Sequence, residues 1–376
     1  MYTLVIGRAF PSESTGMMGI FEFEQAVALK KSGIKTVYAF CDNRSIKLLR
    51  KFNYESFEKE NVPVYGYHLP IGGLPQAIFN FIKANRTINL IKKVIEVHGS
   101  PEVIHIHFPL LNLNNQILDY LKNLKVRIVV TEHWSKIQNG RIEDFRIELL
   151  NRIVKEADSF ICVGELLRQS IYKLTNTKKE IRVIPNMLND NFYYEPNTKS
   201  NNSFHFITIG RLVEAKRFKL VVQAFAEAFT NEGNVHLDIV GDGPLYNEIK
   251  QEITKNGLQH KIIMHGFLSR KETANLLRKS DVFVSASVLE TFGVPFIEAM
   301  ACGKPVIGIK NGPIDRYINK NNGLLFDADN KEELKMILIS IYQNYTYYNN
   351  KEISNVAKDI FSENSIVNSL KKIYYD

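Results

Sequence analysis

Runs of apolar residues rich in Val and Ile alternate along the chain with segments of helical periodicity. In the first half several runs are apolar at consecutive positions, which is typical of strands covered on both faces in a parallel sheet. The predicted strands of this half are residues 2–6, 35–40, 62–68, 103–107, 127–131, 159–163 and 182–184. The helical patterns between them include residues 19–31, 114–124 and 144–157.

The second half repeats this alternation. Its predicted strands are residues 204–209, 235–240, 261–265, 281–285, 305–309 and 323–326. Its predicted helices are residues 218–229, 245–256, 271–279, 295–302, 331–345 and 364–374. Alternation of this kind predicts right-handed crossovers and doubly wound sheets.

A polar segment at residues 191–203 separates the two halves, and its Pro196 and its run of Asn and Ser are typical of a linker. We therefore predict an α/β protein with two Rossmann-like doubly wound domains, residues 1–190 and a second domain from residue 204, facing a central cleft. Ligands of such sheets bind outside the carboxyl ends of the strands, so the cleft is the expected site.

Composition and charge narrow the function classes. The chain has 376 residues and a formal net charge of +8, and its three cysteines (Cys41, Cys162 and Cys302) are widely spaced. This spacing excludes a disulfide scaffold and a clustered zinc site and indicates a reducing cytoplasm. No apolar run approaches the ~18–20 residues of a membrane span, and no nucleic-acid-binding motif is recognised. We therefore expect a cytoplasmic protein that does not bind nucleic acid.

The strongest chemical signal is residues 290–302 (ETFGVPFIEAMAC), which follow a predicted strand and begin a helix. The free backbone N–H groups of Phe292 and Gly293 would face whatever lies in front of that helix, and a helix N-terminus is a natural phosphate site. Glu290 precedes the helix and Glu298 lies inside it, so two carboxylates could bind hydroxyl groups on either side of the phosphates. A capped helix with a glutamate in its first turn is the alternative.

Two loops at the same predicted sheet edge carry further candidates. Residues 210–217 (GRLVEAKR) contain Arg211 and Lys216, two cations that can neutralise a diphosphate. The alternative for this segment is a solvated basic loop. Residues 240–245 (VGDGPL) form a glycine turn that allows close backbone approach, and such a turn alone is weak evidence of a site.

Taken in order and spacing, the segments GRLVEAK, VGDGPL, HGF and ETFGVPFIEAMACGKPVI resemble the nucleotide-sugar-binding domain of glycosyltransferase family 4, whose members are retaining enzymes of the GT-B fold. The resemblance is dense from about residue 204 to residue 326. It extends into the first half through VIPN, EVIHIHFP, TEHWS and a glycine loop at residues 16–19. It also implies that residues 204–355 form the donor domain and that residues 356–376 return to pack on an acceptor-binding first domain.

The resemblance implies a role for each matching residue. Arg211 and Lys216 would hold the donor diphosphate. Glu298 would accept hydrogen bonds from the ribose hydroxyls, Glu290 would contact the donor sugar, and His133 would lie near the transferred sugar. The residues implied in catalysis are His133, Arg211, Lys216 and Glu290. Those implied in donor binding are Gly16, Gly19, Gly210, Arg211, Lys216, Gly241, Asp242, Phe292, Gly293 and Glu298.

The activity implied by the resemblance is a retaining, metal-independent transfer of a sugar from a nucleotide-diphosphate sugar, with UDP favoured over GDP, to a glycan or lipid-linked hydroxyl. The expected role is surface or capsular polysaccharide biosynthesis, with front-face attack in which a diphosphate oxygen helps to deprotonate the acceptor. A nucleotide-sugar 2-epimerase and a non-catalytic partner subunit are the alternatives, and the pattern of Glu290, Glu298 and GRLVEAK favours neither.

Two features imitate metal sites and one suggests a membrane surface. The Asp327–Asp329 segment imitates an Asp-x-Asp motif, but we interpret Asp329 or Asn330 as a helix cap. His105 and His107 lack further zinc ligands at suitable positions, so we expect no metal.

Residues 74–95 combine apolar residues with Lys and Arg and contain no acidic residue. This pattern is typical of a helix that lies on an anionic bilayer or of a packed helix with a cationic outer face. Peripheral contact with the inner face of the cell membrane is therefore a hypothesis.

Overall fold

The computed structural model describes residues 2–11, 17–48, 51–140, 142–196 and 203–375, and the chain divides into two compact units. Unit 1 consists of Met1–Met187 together with Glu363–Asp376. Unit 2 consists of Leu188–Ser362.

Unit 1 is built on an eight-stranded sheet in the order β3-β4-β2-β1-β5-β6-β7-β8. Its strands are β1 (Thr3–Gly7), β2 (Thr36–Ser45), β3 (Asn53–Lys59), β4 (Val62–Gly72), β5 (Val103–His107), β6 (Arg127–Glu132), β7 (Ser159–Cys162) and β8 (Ile181–Val183). Among the described strands of this sheet, only the β3–β4 pair is antiparallel, and the other neighbours run parallel. All residues of β1 and β5 are buried, as expected for central strands of a sheet that is covered on both faces.

Helices connect these strands, as parallel pairing requires. They are α1 (Ile20–Lys31), α2 (Gln76–His98), α3 (Pro109–Asn112), α4 (Asn115–Asn123), α5 (Ser135–Gln138), α6 (Asp144–Glu156), α7 (Glu165–Thr175) and, at the end of the chain, α14 (Glu363–Tyr375). Helix α14 places Ile366, Leu370 and Ile373 in the same buried cluster as Val5 and Phe23, so the core of unit 1 includes both of its sequence segments.

Unit 2 is built on a six-stranded parallel sheet in the order β11-β10-β9-β12-β13-β14. Its strands are β9 (Phe204–Ile209), β10 (Val235–Val240), β11 (Ile262–Gly266), β12 (Val282–Val284), β13 (Val306–Ile309) and β14 (Gly323–Phe326). Its helices are α8 (Phe218–Phe229), α9 (Tyr246–Lys255), α10 (Arg270–Lys279), α11 (Val294–Ala301), α12 (Lys331–Gln343) and α13 (Asn350–Phe361). The sheet order reverses beside β9, which places the loops after β9 and β12 at the switch point where such sheets bind ligands.

The predicted fold class, α/β with two Rossmann-like doubly wound sheets, is confirmed. Two predicted boundaries differ from the compact units. Leu188 and Phe192 are buried, and the Leu188 N–H donates to the Phe361 carbonyl at 2.8 Å, so unit 2 begins before the predicted linker at residue 191. Helix α13 belongs to unit 2 because Ser354 donates a hydrogen bond to the Ala301 carbonyl at 2.7 Å. In this division the segment that returns to unit 1 is Glu363–Asp376, whereas the resemblance implied residues 356–376.

Candidate active site

The loops after β9 and β10 approach each other closely because glycines line the contact. A Cβ atom added to Gly241, which has φ +138°, would lie 1.9 Å from the Gly210 carbonyl oxygen. One added to Gly243 would lie 2.5 Å from the Leu212 carbonyl oxygen. The Leu212 N–H donates to the Asp242 carbonyl at 2.9 Å, which ties the two loops together. The structure therefore brings the two predicted glycine loops into direct contact at the carboxyl edge of the sheet.

An ion pair joins two distant predicted segments. Lys216, in a short 3-10 turn before α8, pairs through Nζ with Glu290 Oε1, and the side chains are only 19% and 18% exposed. The Val288 N–H donates to the Ala215 carbonyl at 2.9 Å and joins the same two loops through their backbones. Arg211 follows β9 at the same edge and is exposed. One cation is thus held by a carboxylate and a second is open to solvent.

Helix α11 begins at the same edge without a side-chain cap. Gly293 is its N-cap residue in a left-handed conformation, with φ +92°, and its cap makes no side-chain hydrogen bond. Phe292 is buried and packs edge-on against Phe361, with ring centroids 5.7 Å apart. Glu298 lies one turn inside the helix and is also buried. Pro295 has no N–H group and the Phe296 N–H donates to the Gly293 carbonyl at 3.0 Å, so an anion at this helix start would be bound by the N–H groups that precede Pro295.

In unit 1, His133 is half-buried and belongs to an aromatic cluster with the buried His107 and Phe108. Its Nε2 lies 2.9 Å from His107 Nδ1, and its ring stacks on Phe108 with centroids 4.6 Å apart. The Arg8 guanidinium lies 3.4 Å from the centre of the Phe108 ring. Asn186, from the VIPN segment, makes a side-chain hydrogen bond to His133. Burial, with help from Arg8, lowers the pKa of His133 to about 3, so its imidazole is neutral.

Glu132, next to His133, is part of the TEHWS motif, but the sequence did not identify it as a site residue. It is fully buried, and its Oε1 accepts hydrogen bonds from the backbone N–H groups of His133 and Trp134, both at 2.9 Å. Burial raises its pKa to about 7, although those N–H groups act in the opposite direction. Glu132 therefore orients the segment that carries His133.

Gly19 ends the early glycine loop and begins α1. Its φ is +88°, and a Cβ atom there would lie 1.9 Å from the Ala9 carbonyl oxygen, so only glycine allows this approach. Gly16 lies outside the described residues. Close to this loop, Arg8 pairs with the buried Glu22 at 3.0 Å, and sequence reasoning identified neither of them. A charged residue directly after the first strand of a doubly wound sheet was the signal that could have identified Arg8.

The metal-like features have structural explanations. Asn330 caps α12, and its side chain accepts a hydrogen bond from the Glu333 N–H at 3.0 Å. His105 bonds through both ring nitrogens, to Tyr374 at 2.6 Å and to Thr131 at 2.7 Å. In the part of the chain that the structure describes, no group of three His, Cys, Asp or Glu side chains could hold a metal ion. The same part contains no helix of the length and apolarity needed to cross a membrane.

Family models match both units. Residues 190–358 match the model described as glycosyl transferases group 1, and residues 23–192 match that of glycosyltransferase family 4. The chain belongs to the family 4 glycosyltransferases of the GT-B fold. The predicted family is thereby confirmed, and members of this fold use nucleotide-sugar donors.

Among curated relatives, the alpha-monoglucosyldiacylglycerol synthase of Streptococcus pneumoniae (strain ATCC BAA-255 / R6) is 30% identical over 46% of this chain and 42% of its own length. The N-acetyl-alpha-D-glucosaminyl L-malate synthase of Bacillus anthracis is 25% identical over 73% of this chain and 74% of its own length. The chain thus spans less than half the length of the first relative.

Solved structures of the same fold align over nearly the whole chain. The sucrose-phosphate synthase of Thermosynechococcus elongatus superposes with a TM-score of 0.77 at 17% identity and covers 100% of this chain and 98% of its own. HepE of Anabaena, in complex with UDP and glucose, superposes with a TM-score of 0.74 at 18% identity and covers 99% of each chain. At this identity the likeness establishes the fold.

Proposed function

We propose that this family 4 chain transfers a sugar from a UDP-sugar to a hydroxyl group of a glycan or lipid-linked acceptor, with retention of configuration and without a metal ion. The observation that carries the proposal is the convergence, at one sheet edge of unit 2, of the Lys216–Glu290 pair and the uncapped first turn of α11. A pyrophosphate is the group that such a combination of a cation and free N–H groups suits. The UDP bound to HepE, a protein of the same fold, supports the choice of nucleotide.

The proposed reaction breaks the bond between the sugar C1 and the diphosphate oxygen. Negative charge develops on the leaving diphosphate, and Arg211, Lys216 and the positive end of α11 stabilise that charge in place. The acceptor oxygen forms its bond to C1 on the same face, and its proton passes to a diphosphate oxygen. Because three positive elements of the protein share the leaving charge, the proposed step needs no metal.

Glu290 and Glu298 have separate proposed roles. Glu290 holds Lys216 through their ion pair and would contact the donor sugar. Glu298 is buried one turn inside α11 and would accept hydrogen bonds from the ribose hydroxyls. His133, neutral because of its burial, would contact the transferred sugar from unit 1 as a hydrogen-bonding group and not as a charge.

A thermal-shift panel of UDP-, GDP- and ADP-glucose, with and without EDTA, tests the donor assignment. We expect the largest rise in melting temperature with UDP-glucose and the same rise in EDTA.

Lys216→Ala and Glu290→Ala should reduce turnover at least ~100-fold, because each removes a charged contact in a partly buried site. Lys219→Ala is the matched control, because Lys219 of α8 forms a solvent-exposed ion pair with Glu248 of α9.

The outcomes of these assays also distinguish the proposed transferase activity from the alternative functions. Conversion of the nucleotide sugar without any acceptor would indicate a 2-epimerase. Unchanged activity of an assembled system with both site variants would indicate a non-catalytic subunit. A rise in melting temperature that disappears in EDTA would refute the metal-free mechanism.

The proposed setting is surface or capsular polysaccharide biosynthesis in the cytoplasm, with contact at the inner membrane face through residues 74–95. Ile78 and Phe81 at the start of α2 support this contact, because they are 50% and 62% exposed. Lys83 does not support it, because it is buried and not part of a cationic outer face. Flotation with anionic vesicles, and none with neutral vesicles, is the expected result, and absent or equal binding would refute the contact.

A further inference from the structure

Unit 1 contains a large cavity that is lined by none of the predicted site residues that the structure describes. Its volume is about 1110 Å³, and it lies between the carboxyl end of β2, the first turns of α2 and α4, and α6. Five cationic side chains and two carboxylates line it. The cations are Arg8, Arg44, Lys83, Arg146 and Arg152, and the carboxylates are Asp42 and Glu148.

Most of these cations already have carboxylate partners. Arg44 pairs with Asp42 at 2.8 Å, and Arg152 pairs with Asp119 and Glu156. Arg8 pairs with Glu22 at 3.0 Å. The positive charge that remains available to a ligand is therefore concentrated at two residues, Lys83 and Arg146. Within the described part of the chain, Arg146 pairs with Glu143, whose side chain is 59% exposed and whose attraction is weakened by solvent.

Lys83 is buried in the wall of the cavity, with 4% of its surface exposed. Its Nζ donates to the carbonyl oxygens of Leu111 at 2.6 Å and Leu113 at 3.2 Å, which occupies two of its three N–H groups. Among the described residues, no carboxylate lies within ion-pair distance of it. An ammonium in this state has one donor left for a ligand and gains most from a negative charge.

The groups that face Lys83 leave its charge uncompensated. Burial and the positive charge of Arg146 lower the pKa of Lys83 to about 7. Cys41, on β2, is a neutral thiol at this pH because burial raises its pKa to about 11. Asp42 also lines the cavity but is paired with Arg44. An anion placed beside Lys83 would favour its protonated form, so that binding would take up a proton.

The cavity also offers an apolar surface. Phe79, Phe81, Phe145 and Leu149 line it, and Phe81 and Phe145 are 62% and 47% exposed. Exposed aromatic side chains beside a cavity offer a surface that an apolar ligand can cover. A purely polar anion would leave these side chains uncovered, so an anionic group joined to an apolar chain suits the cavity better.

Direct contacts connect the cavity to the His133 cluster. Arg8 lines the cavity and stacks on Phe108, which itself stacks on His133. On another side, Arg146 lies 5.1 Å from the centre of the Trp134 ring, next to His133 in sequence. A ligand in the cavity would therefore lie next to the residue expected at the transferred sugar.

We propose that this cavity binds the acceptor, and that the acceptor is an amphiphile whose phosphate or carboxylate group is held by Lys83 and Arg146. The proposal rests on the proposed transferase function and names its substrate class. Lys83 determines specificity for the charged group, while the aromatic side chains at the cavity edge bind the apolar chain.

Calorimetric titration of the full chain with three probes tests the proposal. The probes are n-octyl phosphate below its micellar concentration, octyl glucoside with the same chain and no charge, and inorganic phosphate with the charge alone. We expect octyl phosphate to bind at least ~10-fold more tightly than either, because only it supplies both the charge-assisted hydrogen bonds and the apolar contact. Repeating the titration at about pH 7.5, just above the pKa of Lys83, in buffers of different ionisation enthalpy should show proton uptake.

Variants assign the effect to the cavity. Lys83→Met keeps the length of the side chain and should weaken octyl phosphate binding ~10-fold or more and abolish proton uptake, with octyl glucoside unaffected. Arg146→Gln should weaken it to a smaller extent and provides a second test if Lys83→Met fails to fold. Lys173→Met, on the exposed face of α7, is the control for loss of charge.

Two results would overturn the proposal. One is equal affinity of the wild-type chain for octyl phosphate and octyl glucoside, and the other is unchanged octyl phosphate binding in both cavity variants. Tight binding of inorganic phosphate alone would replace the amphiphile with a small free anion. The UDP-glucose thermal shift, measured on the same variants, separates the two proposals, because it depends on unit 2 and should be retained whichever result is obtained.

Discussion

At the scale of single residues, the carboxyl group of Glu132 is buried in unit 1, next to His133 in the sequence. Glu132 ends β6 and is fully buried, and burial raises its pKa to about 7 from an ordinary value of 4.5. Between these two values the folded chain holds a proton at Glu132 that the unfolded chain has lost. The free energy of unfolding therefore decreases as pH rises from 4.5 to about 7 and remains lower at higher pH.

Glu132→Gln should remove this dependence, because the amide keeps the shape of the protonated carboxyl group and does not ionise. We expect the variant to match the wild type at about pH 5 and to be more stable at about pH 8, by at most about 3 kcal/mol. Chemical unfolding at several pH values measures the difference. Glu96→Gln, an exposed change on α2, is the control. A stabilisation by Glu132→Gln that is constant with pH would contradict the assigned cause.

At the scale of elements, runs rich in apolar residues located several strands well. Strands β5, β9, β10 and β14 have the predicted bounds. Strand β3 was not predicted because most of its residues are exposed and it carries Glu55, Glu58 and Lys59. Its pairing with β4 is visible only once the sheet is assembled, since an edge strand can be polar on both faces.

The candidate site was likewise predicted in part: the sequence identified several of its residues but not the contacts between them. Sequence motifs identified both Lys216 and Glu290, which are 74 positions apart. Their ion pair depends on the order of the strands in the sheet and could not be predicted from the sequence. Lys83 lies in the segment of residues 74–95, whose Lys and Arg residues were predicted to face a membrane surface or to form a cationic outer face. It lies 4, 7 and 11 residues before three buried positions of α2, so helical periodicity already placed it on the buried face. Those positions are Thr87, Leu90 and Val94.

The glycine contact between the loops after β9 and β10 is the element-level feature on which the donor site depends. Gly241→Ala would force its Cβ atom against the Gly210 carbonyl oxygen, 1.9 Å away, so the loops must separate. We expect the variant to lose at least ~10-fold in UDP-glucose affinity and about 2 kcal/mol or more of stability. Thermal shift and chemical unfolding measure the two effects.

Gly257→Ala is the matched control for this change. Gly257 also has a positive φ, +67°, but a Cβ atom there would meet nothing within 4 Å. It should cost about 1 kcal/mol from backbone strain and leave donor binding unchanged. If both variants lost the same stability and neither lost affinity, the loop contact would not position the donor.

At the scale of the whole molecule, the chain leaves unit 1 after Met187 and returns to it at Glu363. Helix α14 contributes Ile366, Val367, Leu370, Ile373 and Tyr374 to the core of unit 1. The Tyr374 hydroxyl also lies 2.6 Å from His105 Nδ1. Unit 1 therefore lacks part of its core until Glu363–Asp376 is present, whereas unit 2 is continuous in sequence.

This topology predicts that damage to α14 destabilises unit 1 and spares donor binding in unit 2. Leu370 is 1% exposed, so Leu370→Ala should cost about 2–5 kcal/mol. Lys372→Ala, on the exposed side of the same helix, should cost less than about 0.5 kcal/mol. Hydrogen exchange followed by mass spectrometry reports the two units separately, and with Leu370→Ala we expect faster exchange in β1 and β5 and unchanged exchange in β9 and β10. The rise in melting temperature with UDP-glucose should persist for the transition of unit 2, because the buried cluster to which α14 contributes consists of residues of unit 1. Equal acceleration in both sheets would mean that the two units unfold as one, and the independence of donor binding from unit 1 would then have to be abandoned.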